Sequence, residues 1–225
     1  MNAPRPFVVA LSGSPRAGSN VDTLVDAALL GAKEAGADTL HLPARDLRIR
    51  ACAACGPDPV EDGGDCIFHD DMDRVYDALE RATGVLVATP VFFSGPSAQL
   101  KLVIDRCNCI TPVVVGEGGS PVFRRRRART RRGAAIIVLG SSDTPEPARL
   151  TARGFLSWIG GRLLETMVWR HDDVELGAVA RDEAALAGAR ALGARLAGPP
   201  LEPGATPEGG APGTFTGTHT SGGNP

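Results

Sequence analysis

The polar segment that follows the first apolar run of the chain carries side chains suited to hold a phosphate. The run Phe7 to Leu11 predicts a strand, and Ser12-Gly13-Ser14-Pro15-Arg16-Ala17-Gly18-Ser19-Asn20 comes directly after it. The two glycines let a ligand approach the backbone, the hydroxyl and amide groups can donate hydrogen bonds, and Arg16 offers a forked cation. A helix beginning near Ser19 would turn its free N–H groups and positive dipole end toward the same place. The segment therefore predicts a phosphate site.

Two other phosphate motifs fit this loop poorly. The spacing from Gly13 to Gly18 imitates the nucleotide-triphosphate loop, but Ser19 and Asn20 stand where that motif requires Lys and then Ser or Thr. The dinucleotide fingerprint needs two glycines separated by one residue, and Ser14-Pro15 breaks it. An ATPase, a GTPase and a tightly bound pyrophosphate are not favoured. The alternative that serine and glycine merely build a turn and a helix cap stays open.

Apolar periodicity predicts the elements that would position this loop. Strands are expected over 7–11, 39–42, 85–88, 134–139 and 165–169, and helices over 21–32, 72–79, 100–104, 147–163 and 182–196. Their alternation predicts an α/β fold, with a doubly wound five-stranded parallel sheet and helices on both faces. Ligands of such sheets bind outside the carboxyl ends of the strands, where the segment 12–20 would lie.

Composition sets the expected boundaries and environment of this fold. The chain has 225 residues and a formal net charge of -2, so one domain over 1–197 is expected and nucleic acid is not an expected partner. Residues 198–225, dominated by Gly, Pro, Thr and Ser, predict a disordered tail. No apolar run approaches a membrane span and no signal-peptide core follows Met1, so a cytoplasmic protein without membrane contact is expected.

Four stretches of the first half of the chain resemble the NADPH-dependent FMN reductase family, including its iron–sulfur flavoprotein branch. Gly13 to Asn20 is similar to the opening motif of that family, and three later stretches agree with it in the same order. They are Asp65-Cys66-Ile67-Phe68-His69-Asp70-Asp71-Met72, Thr89-Pro90-Val91-Phe92-Phe93-Ser94-Gly95 and Leu100-Lys101-Leu102-Val103-Ile104-Asp105-Arg106. Their shared order makes the resemblance more specific than any one stretch.

The resemblance implies a flavodoxin-like sheet of order 2-1-3-4-5, with FMN where the strand order reverses between strands one and three. Position by position, it implies that the phosphate is held by Ser12, Ser14, Arg16, Ser19 and Asn20. The isoalloxazine ring would be bordered by Pro90, Val91, Phe92, Phe93, Ser94 and Gly95, with Gly140 and Ser141 on its other side. Core packing is the alternative role of the two phenylalanines, and no acid–base residue is assigned.

The implied activity is that of an FMN-dependent NAD(P)H oxidoreductase. Hydride would pass from NADPH or NADH to flavin N5 and on to a flavin, a quinone or another small organic acceptor. The resemblance also implies a homodimer or tetramer. Two alternatives stay open: an FMN electron carrier, like the iron–sulfur flavoproteins, that a partner protein reduces, and a flavin-free phosphate-binding module.

Cys52, Cys55 and Cys66 allow three interpretations. In the iron–sulfur branch four closely spaced cysteines hold a [4Fe–4S] cluster, whereas here a cluster would need Asp58 or Cys107 as its fourth ligand. A redox-active disulfide and a loop of reduced thiols are the alternatives. Burial is the expected role of Cys107 and its neighbour Cys109.

Seven arginines lie between Phe123 and Arg132, which suggests a polyanion or nucleic-acid surface. The aromatic residues that interleave an RNA platform are missing. A solvated loop before the fourth strand, near the ribose phosphate of NADPH or a neighbouring subunit, is therefore favoured.

Overall fold

A computed structural model describes residues 4–55, 66–110, 113–115, 121–123, 131–140, 143–171 and 175–202. The strands are β1 (Phe7–Ser12), β2 (Asp38–Pro43), β3 (Gly84–Phe92), β4 (Gly95–Pro96), β5 (Val113–Val115), β6 (Pro121–Phe123), β7 (Arg131–Leu139) and β8 (Gly161–Arg170). The helices are α1 (Asn20–Glu34), α2 (Met72–Arg81), α3 (Ala98–Arg106), α4 (Glu146–Trp158) and α5 (Glu183–Leu196). Single 3-10 turns cover Ala44–Asp46, Cys107–Ile110 and Ala178–Arg181.

Five of the strands form one parallel sheet in the order β2-β1-β3-β7-β8. In chain order these five are second, first, third, fourth and fifth, so the predicted flavodoxin-like topology is confirmed. The order reverses between β1 and β3, where Ser12 lies beside Ala88 at the carboxyl ends of the two strands. A ligand crevice is expected at this edge.

The helices cover both faces of the sheet with separate apolar cores. Val8, Ala10 and Leu86 face the helices α1 and α5, whereas Val9, Leu11 and Val87 face α2, α3 and α4. The alternation follows the two-residue repeat of a strand, and the continuous apolar runs of β1 and β3 are those expected of strands buried on both faces. Among the described residues, no helix combines the length and the apolar character that crossing a bilayer requires.

The junction of α4 with β8 and one short hairpin differ from the prediction. The expected helix over 147–163 ends at Trp158, and β8 begins at Gly161 rather than at residue 165. The apolar periodicity continues through Ile159 and Leu163, but the Gly160-Gly161 pair stops the helix and opens a strand. The short antiparallel hairpin of β5 and β6 was not expected. It lies between α3 and β7 in the chain.

The end of the arginine run is not a solvated loop. Arg131 starts β7 at the amino edge of the sheet, and its buried guanidinium donates to the carbonyl oxygen of Ala82 at 3.1 Å and to that of Ile159. Both carbonyls lie at helix C-termini, which attract cations. Arg131 is therefore a structural cap at the sheet edge opposite the predicted phosphate site. Residues 124–130 lie outside the described residues.

The start of the predicted tail is attached to this same edge. Arg132 Nε donates to the carbonyl oxygen of Pro199 at 2.7 Å. Pro199 is thus bonded to β7, and residues 203–225 of the predicted tail lie outside the described residues.

Candidate functional site

The loops that follow β1 and β3 are joined into one structure. Gly13 N donates to Ala88 O at 2.8 Å, and the Ser97 hydroxyl donates to Gly13 O at 2.5 Å. Ser97 N in turn donates to Thr89 Oγ1 at 3.1 Å. A Cβ at Gly13 would lie 2.5 Å from Ser97 Oγ and 2.6 Å from Leu100 Cβ, so only glycine fits. The predicted phosphate loop and the predicted ring loop therefore meet where the strand order reverses.

The N-terminus of α1 opens onto the loop after β1. Ser19 is its N-cap: the Ser19 hydroxyl accepts from Asp22 N at 3.2 Å, and the Asp22 carboxylate accepts from Ser19 N at 3.3 Å. Before this capping box, Gly18 takes a φ of +67°, which glycine adopts without strain. Because Ser19 Oγ accepts this bond, its own proton is available to an anion at the helix N-terminus.

Two other predicted phosphate ligands shape the loop itself. Ser14 Oγ accepts from Arg16 N at 3.3 Å and donates to Arg16 O at 3.1 Å, which folds the backbone back at this point. The side chain of Arg16 belongs to an exposed residue at the rim of the loop. Arg16 can therefore swing onto a bound anion without breaking a core contact.

Asn20 has a structural task in this arrangement. Its Oδ1 accepts from Val179 N at 3.0 Å, and its Nδ2 reaches Glu175 O at 3.5 Å. The buried amide thus ties the segment before α5 to the start of α1. Its direct contact with a phosphate stays a prediction, and it would require these bonds to be shared or exchanged.

Sequence reasoning missed Arg45, a cation beside this loop. Its Nη1 donates to Asp22 Oδ1 and Oδ2 at 2.9 and 3.0 Å and to Ser14 O at 3.4 Å. The side chains of Arg45 and Asp22 are only 19% and 9% exposed. The pair fixes the loop from the side of β2, and the carboxylate largely cancels the arginine charge. The predicted strand order sets β2 beside β1, so a cation in the turn after β2 could have been expected near the loop that follows β1.

His41 of β2 was also missed as a neighbour of the site. Its Nε2 lies 2.8 Å from Ser12 Oγ, and its Nδ1 lies 3.8 Å from Asp26 Oδ1. Burial lowers the pKa of His41, and this effect outweighs the opposing influence of Asp26 and Asp22. The Ser12 hydroxyl, predicted as a phosphate ligand, is therefore paired with a histidine that is neutral by preference.

The loop after β3 is a tight hairpin that presents an aromatic ring to solvent. Phe92 pairs with Gly95, and the two residues between them, Phe93 and Ser94, take φ values of +49° and +62°. Such angles are unusual outside glycine and carry backbone strain. Phe93 is fully exposed and Phe92 is about half exposed at 47%. Core packing is therefore not the role of Phe93, and both rings are accessible to a planar ligand.

The other ring-bordering residues lie at the same edge. Val91 is buried and pairs with Pro96, and Pro90 lies beside Val138 of β7. Gly140 follows β7, and its carbonyl accepts from Asp143 N at 3.3 Å. Gly140 is thus at the carboxyl edge next to β3, as predicted, whereas Ser141 and its neighbour 142 lie outside the described residues.

Arg106 of α3 holds the two ends of the cysteine-bearing segment together. Its side chain is 1% exposed and forms a bidentate pair with Asp70, with the shorter contact at 2.7 Å. The same guanidinium donates to Arg50 O at 2.8 Å and to Phe68 O at 3.4 Å. Burial tends to raise the pKa of Asp70, but bonds from Arg106 and from the N–H groups of Arg50 and Met72 hold it below its usual range.

The described cysteines do not fit a preorganised four-thiolate cluster. Cys52 and Cys55 are exposed and Cys66 is partly buried, whereas Cys107, a suggested fourth ligand, is completely buried among apolar side chains. Within the described ranges, no three His, Cys, Asp or Glu side chains come together as a metal site. Asp58, the other suggested ligand, lies outside the described residues. Cys109 is partly buried, and its Sγ lies 3.4 Å from Arg106 O.

A protein-family model matches the part of the chain that contains the two joined loops. The model described as NADPH-dependent FMN reductase matches residues 6–172, which include β1, the joined loops and most of the sheet. The chain belongs to this family. The FMN reductase match ends just after β8, so α5 and the residues beyond it are outside it.

Curated relatives point to the iron–sulfur branch of the FMN reductase family. The chain is 35% identical over 138 residues to an iron–sulfur flavoprotein of Methanosarcina thermophila, covering 60% of this chain and 64% of that protein. It is 28% identical over 138 residues to an iron–sulfur flavoprotein of Archaeoglobus fulgidus, covering 61% and 56%. The chain thus spans less than two thirds of the length of these relatives.

Solved structures share the fold of this FMN reductase family member at low identity. A flavone reductase superimposes with a TM-score of 0.62 at 20% identity, covering 85% of this chain and 62% of that one. An NAD(P)H:quinone oxidoreductase from Methanothermobacter marburgensis gives 0.60 at 16%, covering 86% and 100%. RosB with a bound flavin-phosphate intermediate gives 0.66 at 14%, covering 85% and 79%. These likenesses establish the flavodoxin-like fold.

Proposed function

We propose that this protein binds FMN at the carboxyl edge of the sheet and oxidises NADPH or NADH there to reduce a small organic acceptor. The observation that carries the proposal is the junction of Gly13 with Ser97. It joins the loop proposed to bind the phosphate with an exposed aromatic hairpin on the adjacent strand, at the point where the strand order reverses.

The phosphate fits the loop between β1 and α1. Backbone N–H groups of the first turn of α1 face this point, and the Ser19 proton and the Arg16 guanidinium add a neutral and a charged donor. Ser14 holds the backbone in the required curve, and Ser12 lies at the base of the loop. Asn20 acts mainly as a brace for the helix N-terminus.

The ring fits beside the hairpin of β3 and β4. Backbone groups from Pro90 to Gly95 would border the isoalloxazine, and Phe92 and Phe93 supply accessible aromatic surface against it. Gly140 and Ser141 would approach its opposite side. When bound, FMN supplies the hydride-accepting N5 atom, and the protein supplies placement and exclusion of water. No side chain of this chain is assigned to proton transfer.

The names of related proteins support the electron donor and the acceptor class. The family is described as NADPH-dependent, and structures with the same fold include a flavone reductase and an NAD(P)H:quinone oxidoreductase. Planar aromatic acceptors of this kind suit a site rimmed by an exposed phenylalanine. A homodimer or tetramer stays part of the proposal, and sedimentation of the purified protein tests it.

An FMN electron carrier reduced by a partner protein is the second candidate function. It is favoured by the iron–sulfur flavoprotein relatives and by the exposure of Cys52 and Cys55, where a protein partner could exchange electrons. The two functions differ in one measurable property. A carrier oxidises little NAD(P)H by itself, whereas the proposed oxidoreductase turns it over.

The deciding experiment begins with protein purified without oxygen. Its absorption spectrum is recorded, the released cofactor is identified by chromatography, and iron and sulfide are assayed. We expect FMN, no stoichiometric iron, and oxidation of NADPH or NADH when a quinone or free flavin is added. FMN without turnover would favour the carrier, FMN with iron and sulfide would overturn the interpretation of the cysteines, and absence of flavin after reconstitution would overturn the proposal.

A further inference from the structure

The Ser12 hydroxyl lies at the carboxyl end of β1 and contacts a histidine. Ser12 is completely buried and shares its sheet face with Ala10, which packs under α1. Its Oγ is 2.8 Å from His41 Nε2 on the neighbouring strand β2. The hydroxyl that bonds the imidazole thus belongs to the first residue of the loop assigned above to a phosphate.

Charged groups surround His41 on its other sides. Asp26 lies 3.8 Å from Nδ1, and together with Lys33 and the imidazole it lines an open cleft between α1 and β2. Asp22 also faces the ring, but Arg45 holds its carboxylate. From the turn after β2, Arg45 itself lowers the pKa of the ring, whereas Asp46 raises it. Because the imidazole is 21% exposed to this cleft, it can exchange a proton with solvent.

The direction of the Ser12 bond depends on the protonation state of His41. In the neutral ring, a proton on Nδ1 faces Asp26, and Nε2 accepts the Ser12 proton. The hydroxyl then offers only lone pairs to an anion. In the charged ring, Nε2–H donates to Ser12 Oγ, and the Ser12 proton becomes available to a phosphate.

We propose that His41 is a positioning residue of the phosphate site, which turns the Ser12 proton toward a bound phosphate when the imidazole takes up a proton. The inference rests on the proposed function, because the phosphate is that of FMN. The protonated imidazole would place a positive charge one hydroxyl away from the phosphate. The Asp22–Arg45 pair contributes almost no net charge at this position.

Linkage fixes the sign of the pH effect. Burial keeps the pKa of His41 low in the free protein, and a nearby phosphate dianion raises it, so FMN binding is accompanied by proton uptake. FMN affinity should therefore rise as pH falls. The effect of His41 has to be measured above about pH 6, because the phosphate monoester itself takes up a proton and loses its second negative charge as the pH falls through this value.

The test is a titration of the apoprotein with FMN, and separately with riboflavin, at several pH values between about pH 8.5 and about pH 6.5. Binding is measured by the quenching of flavin fluorescence. Wild-type protein should bind FMN about tenfold more tightly at the lower pH, the effect of one charge-assisted hydrogen bond. Riboflavin, which lacks the phosphate, should show no such change. Circular dichroism of each protein confirms its fold.

Two variants separate positioning from structure. His41→Gln carries an amide N–H that can donate to Ser12 at every pH, so FMN binding should be tight and independent of pH. His41→Leu cannot accept the Ser12 proton and has no titratable group, so FMN binding should also be independent of pH, with riboflavin binding unchanged. An identical pH dependence in wild type and His41→Gln overturns this inference and leaves FMN binding in place. Failure of wild type to bind either flavin overturns the proposed function.

Discussion

The hydroxyl of Ser97 donates a 2.5 Å hydrogen bond to the carbonyl oxygen of Gly13, across the point where the sheet order reverses. Ser97 is also the N-cap of α3, because its oxygen accepts from Leu100 N at 3.3 Å. One fully buried side chain thus connects the start of a helix with the loop after β1. The geometry of the candidate site depends on this connection more than on any single predicted ligand.

Replacing Ser97 by Ala should lower the free energy of unfolding by about 1–3 kcal/mol, because a helix cap and a buried hydrogen bond are lost together. FMN affinity should fall as well, since the loop after β1 loses its support. Urea denaturation and flavin titration measure the two effects. Thr151→Ala is the control: its hydroxyl donates to Pro147 O at 2.9 Å in an exposed position, and its loss should cost less than about 0.5 kcal/mol. Equal effects of the two variants would contradict the linking role of Ser97.

Replacing Arg16 by Ala should weaken FMN binding by about ten- to a hundredfold, the effect of one charge-assisted bond to the phosphate. Arg16 is exposed at the loop rim, so the fold and the affinity for riboflavin should stay unchanged. Arg5→Ala is the matched control, because that exposed arginine pairs with Asp38 at the amino edge of the sheet. Unchanged FMN affinity in Arg16→Ala would remove this arginine from the phosphate site.

The buried pair of Arg106 and Asp70 predicts a stability that falls in acid. The folded-state pKa of Asp70 lies below its unfolded value, so its contribution is present above the unfolded value and is lost as pH falls through the folded one. Urea unfolding between about pH 6 and about pH 3 should show this loss. Asp70→Asn should be less stable by about 3–5 kcal/mol at the higher pH, because Arg106 then lacks its charge partner, and should lose less in acid.

The control for this pair is Asp77→Asn, an exposed position on the same helix α2. It should keep both the stability of the wild type and its acid dependence. If Asp70→Asn retained the full acid dependence, the loss would have to come from other carboxylates.

Local patterns predicted the fold and indicated the loops that make up the candidate site. The apolar runs of β1 and β3 and the small polar residues from 12 to 20 carry their own geometry, because a buried parallel strand followed by a helix N-terminus is encoded within about 30 residues. His41 and Arg45 escaped prediction since neither belongs to such a pattern. Their contacts with Ser12 and Asp22 depend on the lateral order of β1 and β2 and on which sheet face each side chain takes.

Arg131 shows a different limit of sequence reasoning. A run of seven arginines is typical of a charged surface, yet its sixth member caps the carbonyl ends of two helices from a buried position. Nothing in the run distinguishes this residue from its neighbours. Its burial follows from its place at the first position of a central strand, which only the pairing of β7 with β3 and β8 reveals.

Relieving the strain in the hairpin of β3 and β4 should stabilise the fold, and removing its exposed ring should weaken ligand binding. Phe93→Asn should raise the free energy of unfolding by about 0.5–1 kcal/mol, because asparagine tolerates a φ of +49° better than phenylalanine does. It should also weaken flavin binding or acceptor turnover, since an exposed aromatic surface is lost. Ser94→Gly relieves the neighbouring φ of +62° and keeps the ring, so it should gain stability without losing function. Loss of function in both variants would point to the turn backbone rather than the ring.

The cysteines should differ sharply in their reactivity toward iodoacetamide. Cys52 and Cys55 are exposed and should be alkylated first, whereas Cys107 is fully buried and should react more than about a hundredfold more slowly. Burial also raises the pKa of the Cys107 thiol, with a smaller effect of Cys109, which lowers the fraction of reactive thiolate. Peptide mass mapping over time measures each rate, and labelling in urea gives the unprotected reference. Early labelling of Cys107 would contradict its place in the core. Protection of Cys52 and Cys55 that a chelator removes would instead identify them as metal ligands.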